Sequence, residues 1–113
     1  MITIYHNPRC RKSRQGLEIL KQSGKNFKVI RYMDERLSEA ELKQIITLLG
    51  INPLDLVRQN EAIWKSDYKS KSLTDADIIS AMVQHPKLIE RPIVVNENSA
   101  VIGRPPELIV GIL

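Results

Sequence analysis

At 113 residues the chain is long enough for one hydrophobic core and hardly for two, so we expect a single domain. Hydrophobic residues make up 42% and charged residues 27%, as in soluble globular proteins, and no apolar run approaches the length of a membrane span. The net charge of +4 is accompanied by one Trp, one Phe and three Tyr, without a long basic block, so we expect neither a nucleic-acid partner nor a membrane partner.

The first third of the chain has the pattern strand, helix, strand. Residues 2–6 are apolar and β-branched, and Asn7-Pro8 ends them in a loop. Apolar residues then recur at helical spacing from 11 to 23, before Gly24 at the position of a C-terminal cap. Residues 27–32 form the second predicted strand. A right-handed crossover makes the two strands parallel.

The middle of the chain is predicted to be helical. Ser38 and Glu41 form a capping-box signature ahead of a helix that Gly50 ends. A short helix starts at Asn52-Pro53, and residues 60–72 predict another short helix and a loop. Thr74 caps the last helix of this region.

The last third returns to a strand pattern. Residues 93–95 and 100–102 are apolar and flank a polar turn, which predicts an antiparallel hairpin. A final short helix is predicted to open at residues 103–107. From pattern alone, the fold class is α/β or α+β.

The only cysteine, Cys10, lies where the first strand gives way to the first helix. Four cationic residues flank it in sequence: Arg9, Arg11, Lys12 and Arg14. Positive charge and a helix N-terminus both favour the thiolate, so we interpret Cys10 as a redox-active thiol rather than a buried structural one. A single cysteine cannot form an internal disulfide, which favours a cytoplasmic location, and with only two histidines besides it we expect no metal site.

Several motifs occur in an order that resembles the ArsC-type arsenate reductases of the ArsC/Spx superfamily, and most of all their short YfgD-like branch. The motifs are His6-Asn7-Pro8-Arg9-Cys10, Lys12-Ser13-Arg14, Arg58-Gln59, Arg91-Pro92-Ile93-Val94-Val95 and Ile102-Gly103-Arg104-Pro105-Pro106-Glu107. The match runs from end to end. It implies one α/β domain over residues 1–113 with a thioredoxin-like fold, βαβ…ββα, a helical insertion at 34–90, and a cis bond before Pro92.

The resemblance also implies a site around the cysteine. Cys10 would be the nucleophile, and three arginines would bind an oxyanion and stabilise the thiolate: Arg58, Arg91 and Arg104. The planar guanidinium fork of arginine suits oxyanions. Arg9, Arg11 and Arg14 are the local candidates for stabilising the thiolate.

Thioredoxin-like proteins run dithiol chemistry with Cys-x-x-Cys, but here Ser13 occupies the second position, so the resolving thiol must come from outside. Ser13 can donate a hydrogen bond to the sulfur or serve as an ordinary first-turn residue of the helix. His6 can tune the thiolate, orient the loop, or make a structural hydrogen bond.

These features predict an arsenate reductase of the glutaredoxin type, an oxidoreductase without a bound cofactor. Glutathione would be its co-substrate and glutaredoxin its protein partner. One alternative is a regulator similar to the Spx proteins, which bind RNA polymerase, usually carry Cys-x-x-Cys and lack the Gly-Arg-Pro motif. Another alternative is a glutathione-dependent thiol oxidoreductase without arsenate activity.

Overall fold

The computed structural model describes all residues from Met1 to Leu113. They form two compact units, one made of Met1–Glu35 and Arg91–Leu113 and the other of Arg36–Glu90. The second unit covers nearly the same residues as the helical insertion that the sequence predicts at 34–90. No helix combines the length and the apolar character needed to cross a membrane.

The first unit contains a four-stranded mixed sheet, one long helix and a C-terminal 3₁₀ helix. Its elements are β1 (Ile2–Tyr5), α1 (Arg11–Gln22), β2 (Phe27–Ile30), β3 (Ile93–Asn96), β4 (Ser99–Ile102) and the 3₁₀ helix Pro106–Ile112. The strand order is β2-β1-β3-β4. The strands β1 and β2 are parallel, and β3 is antiparallel to both β1 and β4. This is the thioredoxin-like topology.

The core of this unit joins the sheet to both helical elements. Its buried members are Ile2, Ile4, Leu20, Val94 and Ile109. The hydrophobic residues of β1 and α1 thus face one another at the periods of two and of about 3.6 that the sequence showed. Burial of each such side chain contributes about 1.5–3 kcal/mol, so this cluster holds α1 against the sheet.

The second predicted strand is too long. It ends at Ile30 rather than at residue 32, because the carbonyl of Arg31 accepts the N–H groups of Asp34 and Glu35 and closes a turn. The last helix starts at Pro106, within the predicted range 103–107, and is 3₁₀ in form. Proline suits the first turn of a helix, where its missing N–H group is not needed.

The second unit is helical. Its elements are α2 (Glu39–Leu49), α3 (Ala62–Asp67), α4 (Asp75–Gln84) and the 3₁₀ helices Pro53–Leu56 and Pro86–Leu88. The predicted capping box at Ser38 of α2 is present, and Thr74, predicted as the cap of α4, forms a capping box as well. The helix α2 ends at Gly50 in the left-handed conformation, with a φ of 68°. That conformation costs glycine nothing and other residues roughly 1–2 kcal/mol.

Candidate active site

Cys10 is the N-cap residue of α1, in an extended conformation that sets its side chain at the start of the helix. Its thiol is half-buried. No side chain caps this helix, and its first turn contains no acidic residue. The N–H groups of a first helical turn have no partner within the helix, and they carry the positive end of the helix dipole. These donors are therefore available to an anionic sulfur.

The surroundings of Cys10 favour its thiolate. Burial alone raises the pKa of the thiol, but the backbone N–H of Ser13, the guanidinium of Arg91 and the backbone N–H of Lys12 lower it, and the net pKa lies below the ordinary value of 9.0. Arg91 acts both through a hydrogen bond and through its positive charge. A larger fraction of Cys10 is consequently nucleophilic at neutral pH than in a free thiol.

The loop before α1 is held by Ser13 from within the helix. The Ser13 hydroxyl is fully buried and accepts the N–H of Asn7 at 2.9 Å. It also lies 2.7 Å from Nδ1 of His6. The carbonyl of Asn7 in turn accepts the N–H of Cys10 at 3.0 Å. The expected hydrogen bond to the sulfur thus comes from the backbone of Ser13, while its hydroxyl binds His6 and Asn7.

His6 has a structural hydrogen bond, which was one of the roles considered for it. Its side chain is buried, with 3% of its surface exposed. Burial lowers the pKa of the imidazole, and the positive charges of Arg31 and Arg14 lower it further, against the effect of Ser13. The ring is therefore neutral at pH 7, and its contact with Ser13 orients the loop that carries Cys10.

The three arginines beside Cys10 in sequence have different surroundings. Arg9, Arg11 and Arg14 are all exposed. The Arg14 guanidinium donates to the carbonyl of Pro8 at 3.0 Å. The groups that lower the pKa of Cys10 most are the backbone of the first turn and the distant Arg91. A contribution of these three neighbouring charges to the thiolate stays a prediction.

Arg91 reaches the sulfur from the end of a long connection. It precedes Pro92, and the Arg91–Pro92 bond is cis, as the family resemblance implied. The Arg104–Pro105 bond is also cis, which was not anticipated. The Arg104 guanidinium donates to the carbonyl of Arg91 at 3.2 Å. Two of the three predicted oxyanion-binding arginines thus contact each other in the first unit.

Two glycines make room for Pro92 and were not identified from the sequence as part of the site. A Cβ atom on Gly16 or on Gly103 would lie 2.9 Å from Cγ of Pro92 and 2.9 Å from Cδ1 of Ile109. That distance is below normal van der Waals contact, so a side chain at either position would displace the proline beside Arg91. The presence of Gly16 within a helix could have indicated this contact from the sequence, because glycine costs about 1 kcal/mol inside a helix and usually has a packing reason there.

Arg58, the third predicted oxyanion ligand, belongs to the helical unit. Its guanidinium pairs with the carboxylates of Glu61 at 3.2 Å and of Glu90 at 3.7 Å. Its backbone N–H donates to the carbonyl of Leu88 at 2.7 Å, and Val57 forms an isolated bridge with Ile89. These contacts fix the origin of the side chain. Its proposed role as an oxyanion ligand stays a prediction.

Comparisons with known proteins agree on one family. The ArsC family profile matches residues 5–112. The protein YfgD of Escherichia coli (strain K12) is 43% identical over 99% of this chain and 96% of its own length. An arsenate reductase of Haemophilus influenzae is 39% identical over 99% of this chain and 98% of its own.

A solved structure supports the same assignment. An arsenate reductase from Vibrio cholerae superimposes with a TM-score of 0.94 at 42% identity, and the match covers 99% of this chain and 97% of that one. The resemblance that the sequence motifs indicated is confirmed, as is the thioredoxin-like fold. The chain belongs to the ArsC family.

Proposed function

We propose that the protein is an arsenate reductase that uses Cys10 as its nucleophile. One observation carries the proposal: the Cys10 sulfur lies at the uncapped start of α1 and is hydrogen-bonded by Arg91, which lowers its pKa. A thiolate beside a guanidinium is suited to attack an oxyanion, because the cation offsets the negative charge of both partners. The arsenate reductases among the relatives support arsenate as the substrate.

In the first step the Cys10 thiolate attacks the arsenic atom of arsenate. A sulfur–arsenic bond forms, an arsenic–oxygen bond breaks, and the oxygen leaves as water after it takes up protons. Arg91, Arg104 and Arg58 would hold the remaining oxygens, because each guanidinium can donate two parallel hydrogen bonds. Support for Arg91 and Arg104 comes from the contact of Arg91 with Cys10 and of Arg104 with the Arg91 carbonyl. Support for Arg58 comes from the family resemblance alone.

The second step needs a thiol from another molecule, because the chain has one cysteine. We propose glutathione for this role. Its thiolate attacks the Cys10 sulfur, a disulfide forms, and the electron pair of the sulfur–arsenic bond stays on arsenic, which leaves as arsenite. Glutaredoxin then reduces the mixed disulfide and returns Cys10 as a thiolate. Each turnover thus consumes two thiols, requires no bound cofactor, and would take place in the cytoplasm, where thiols are kept reduced.

The test is arsenite formation by the purified protein with arsenate and glutathione, with and without glutaredoxin. We expect turnover that depends on glutathione and is faster with glutaredoxin, and none in Cys10→Ser. Serine is a good N-cap residue, so this variant should unfold no earlier than the wild type. Undiminished arsenite formation by Cys10→Ser would refute the mechanism. Thiol exchange without arsenite would instead indicate a thiol oxidoreductase, and capture of RNA polymerase would indicate a regulator.

A further inference from the structure

A cavity of about 380 Å³ opens beside the loop that carries Cys10. It is lined by Asn7, Pro8, Arg9, Met33 and Asp34. Its volume is near the lower end of the range of small-molecule sites, which is roughly 300–1,000 Å³. The mechanism described above does not use Met33 or Asp34.

The cavity lies where two parallel strands end at the same edge of the sheet. Tyr5, the last residue of β1, is paired with Ile30, the last residue of β2. The N–H of His6 donates to the carbonyl of Ile30 at 2.8 Å and carries this pairing one residue further. The loop after β1 and the turn after β2 therefore lie side by side, and the cavity adjoins the loop that carries Cys10, because Arg9 in its lining directly precedes Cys10 in the chain.

The lining carries one charge of each sign. Arg9 and Asp34 are both exposed, and neither forms a salt bridge within the chain. Met33 adds an apolar surface, with 39% of its area exposed. Methionine is flexible and adapts to irregular aliphatic groups. A complementary ligand therefore has a zwitterionic head group on a short aliphatic chain.

We propose that this cavity binds the γ-glutamyl end of glutathione and so directs the glutathione sulfur to Cys10. The Asp34 carboxylate would accept hydrogen bonds from the α-ammonium group, and the Arg9 guanidinium would bind the α-carboxylate. The inference rests on the proposed function in one respect, since it takes glutathione as the external thiol. It adds the residues by which that thiol is recognised.

The recognition can be measured without arsenate. The Cys10 thiolate attacks one sulfur of oxidised glutathione, a disulfide between Cys10 and glutathione forms, the original disulfide breaks, and the second glutathione leaves as a thiolate. Mass spectrometry follows this reaction on the full chain. A failed arsenite assay therefore leaves this experiment interpretable, and the two proposals can fail separately.

The decisive variant is Asp34→Asn. Oxidised glutathione is an anion at pH 7, so loss of a merely repulsive carboxylate would speed its reaction with Cys10. Recognition of the ammonium group predicts the opposite, a slowing of about two- to fivefold, as for exposed charge pairs. N-acetylated oxidised glutathione lacks the ammonium group. With this disulfide, Asp34→Asn should react no more slowly than the wild type.

Glu35→Gln is the matched control. Glu35 is exposed, carries the same charge one residue further along, and does not line the cavity. This variant should not slow the reaction with oxidised glutathione. The proposal is overturned if Asp34→Asn reacts as fast as the wild type or faster, if it is slowed equally with the N-acetylated disulfide, or if the wild type does not distinguish the two disulfides.

Discussion

The two long helices of the helical unit, α2 and α4, begin differently from α1 in the sheet-containing unit, whereas the short α3 has no side-chain cap either. In the helical unit, α2 and α4 each start with a complete capping box and with two acidic residues in the first turn. In the sheet-containing unit, α1 starts at Cys10 without a side-chain cap and without an acidic residue. A capped helix satisfies its own N–H groups and offsets its dipole. At the start of α1, the backbone N–H groups have no side-chain cap and remain available to the Cys10 sulfur.

The difference shows how the chain separates stability from reactivity. Capping at α2 and α4 is local, since the Ser38 and Thr74 hydroxyls bind N–H groups only three residues away. At α1 the serine lies inside the helix, and the Ser13 hydroxyl accepts the N–H of Asn7 in the preceding loop. The loop is thereby held without occupying the backbone donors that face Cys10. Variants in both units test this separation.

The largest effect is expected for Arg91→Ala. Hydrogen bonds to charged groups contribute roughly 1.5–3 kcal/mol, so the rate of Cys10 alkylation at pH 7 should fall about tenfold or more. The pH at which the alkylation rate reaches half of its maximum should rise, because the pKa of Cys10 rises. The control is Arg11→Ala, which removes an exposed cation next to Cys10 in sequence. A larger loss in Arg11→Ala would show that neighbouring charge, rather than Arg91, sustains the thiolate.

The capping boxes should affect stability alone. Ser38→Ala removes the hydroxyl that accepts the Glu41 N–H and should lower the free energy of unfolding by about 1 kcal/mol. The alkylation rate of Cys10 should stay at the wild-type value. Urea unfolding and iodoacetamide kinetics measure the two effects. The conservative Ser38→Thr, which keeps a hydroxyl, should lose less stability, and a loss equal to that of alanine would point to a cause other than capping.

Stability at acidic pH depends on His6. The pKa of His6 in the folded protein lies below its ordinary value of 6.5, so the unfolded chain binds the proton more tightly. The stabilising contribution of the neutral ring is present above pH 6.5 and is lost as the pH falls through that value toward the folded pKa. Unfolding free energies between pH 8 and about pH 5 should therefore decline less in His6→Asn than in the wild type.

The other histidine provides the control for that measurement. His85 ends α4 in the helical unit, and His85→Asn is to be measured over the same pH range as the comparison variant. If His6→Asn keeps the full decline, the imidazole of His6 is not its source.

The smallest effect is expected when α1 is made to resemble α2. Lys12→Glu places a carboxylate in the first turn, where its charge opposes the thiolate and raises the Cys10 pKa. Charges near a helix terminus contribute typically 0.3–1 kcal/mol, so the alkylation rate at pH 7 should fall by no more than about fivefold. Lys21→Glu makes the same change in the last turn of α1 and should leave the rate unchanged. Equal effects of both would show that only net charge matters.

Sequence reasoning recovered the parts of the fold that depend on neighbours in the chain. The N-caps of α2 and α4, the hairpin of β3 and β4, and the position of Cys10 at a strand–helix junction follow from patterns within a few residues. It misjudged the end of β2, because a turn that begins at Arg31 ends the strand although Arg31 and Tyr32 continue its pattern. It left the role of the Ser13 hydroxyl open, since the sequence could not show that this hydroxyl binds Asn7 and His6.

The sequence alone was enough to identify an ArsC-type α/β domain with its one cysteine at the start of the first helix. The order of the motifs and the spacing of the hydrophobic residues can be read without coordinates. Which charge lies beside the sulfur depends on contacts between residues far apart in the chain. Arg91 is 81 positions from Cys10, and the sheet pairing that brings β3 beside β1 is what places it there. The parallel pairing of β1 with β2 brings Asp34 and Arg9 into the lining of one cavity, because parallel neighbours end at one edge of a sheet.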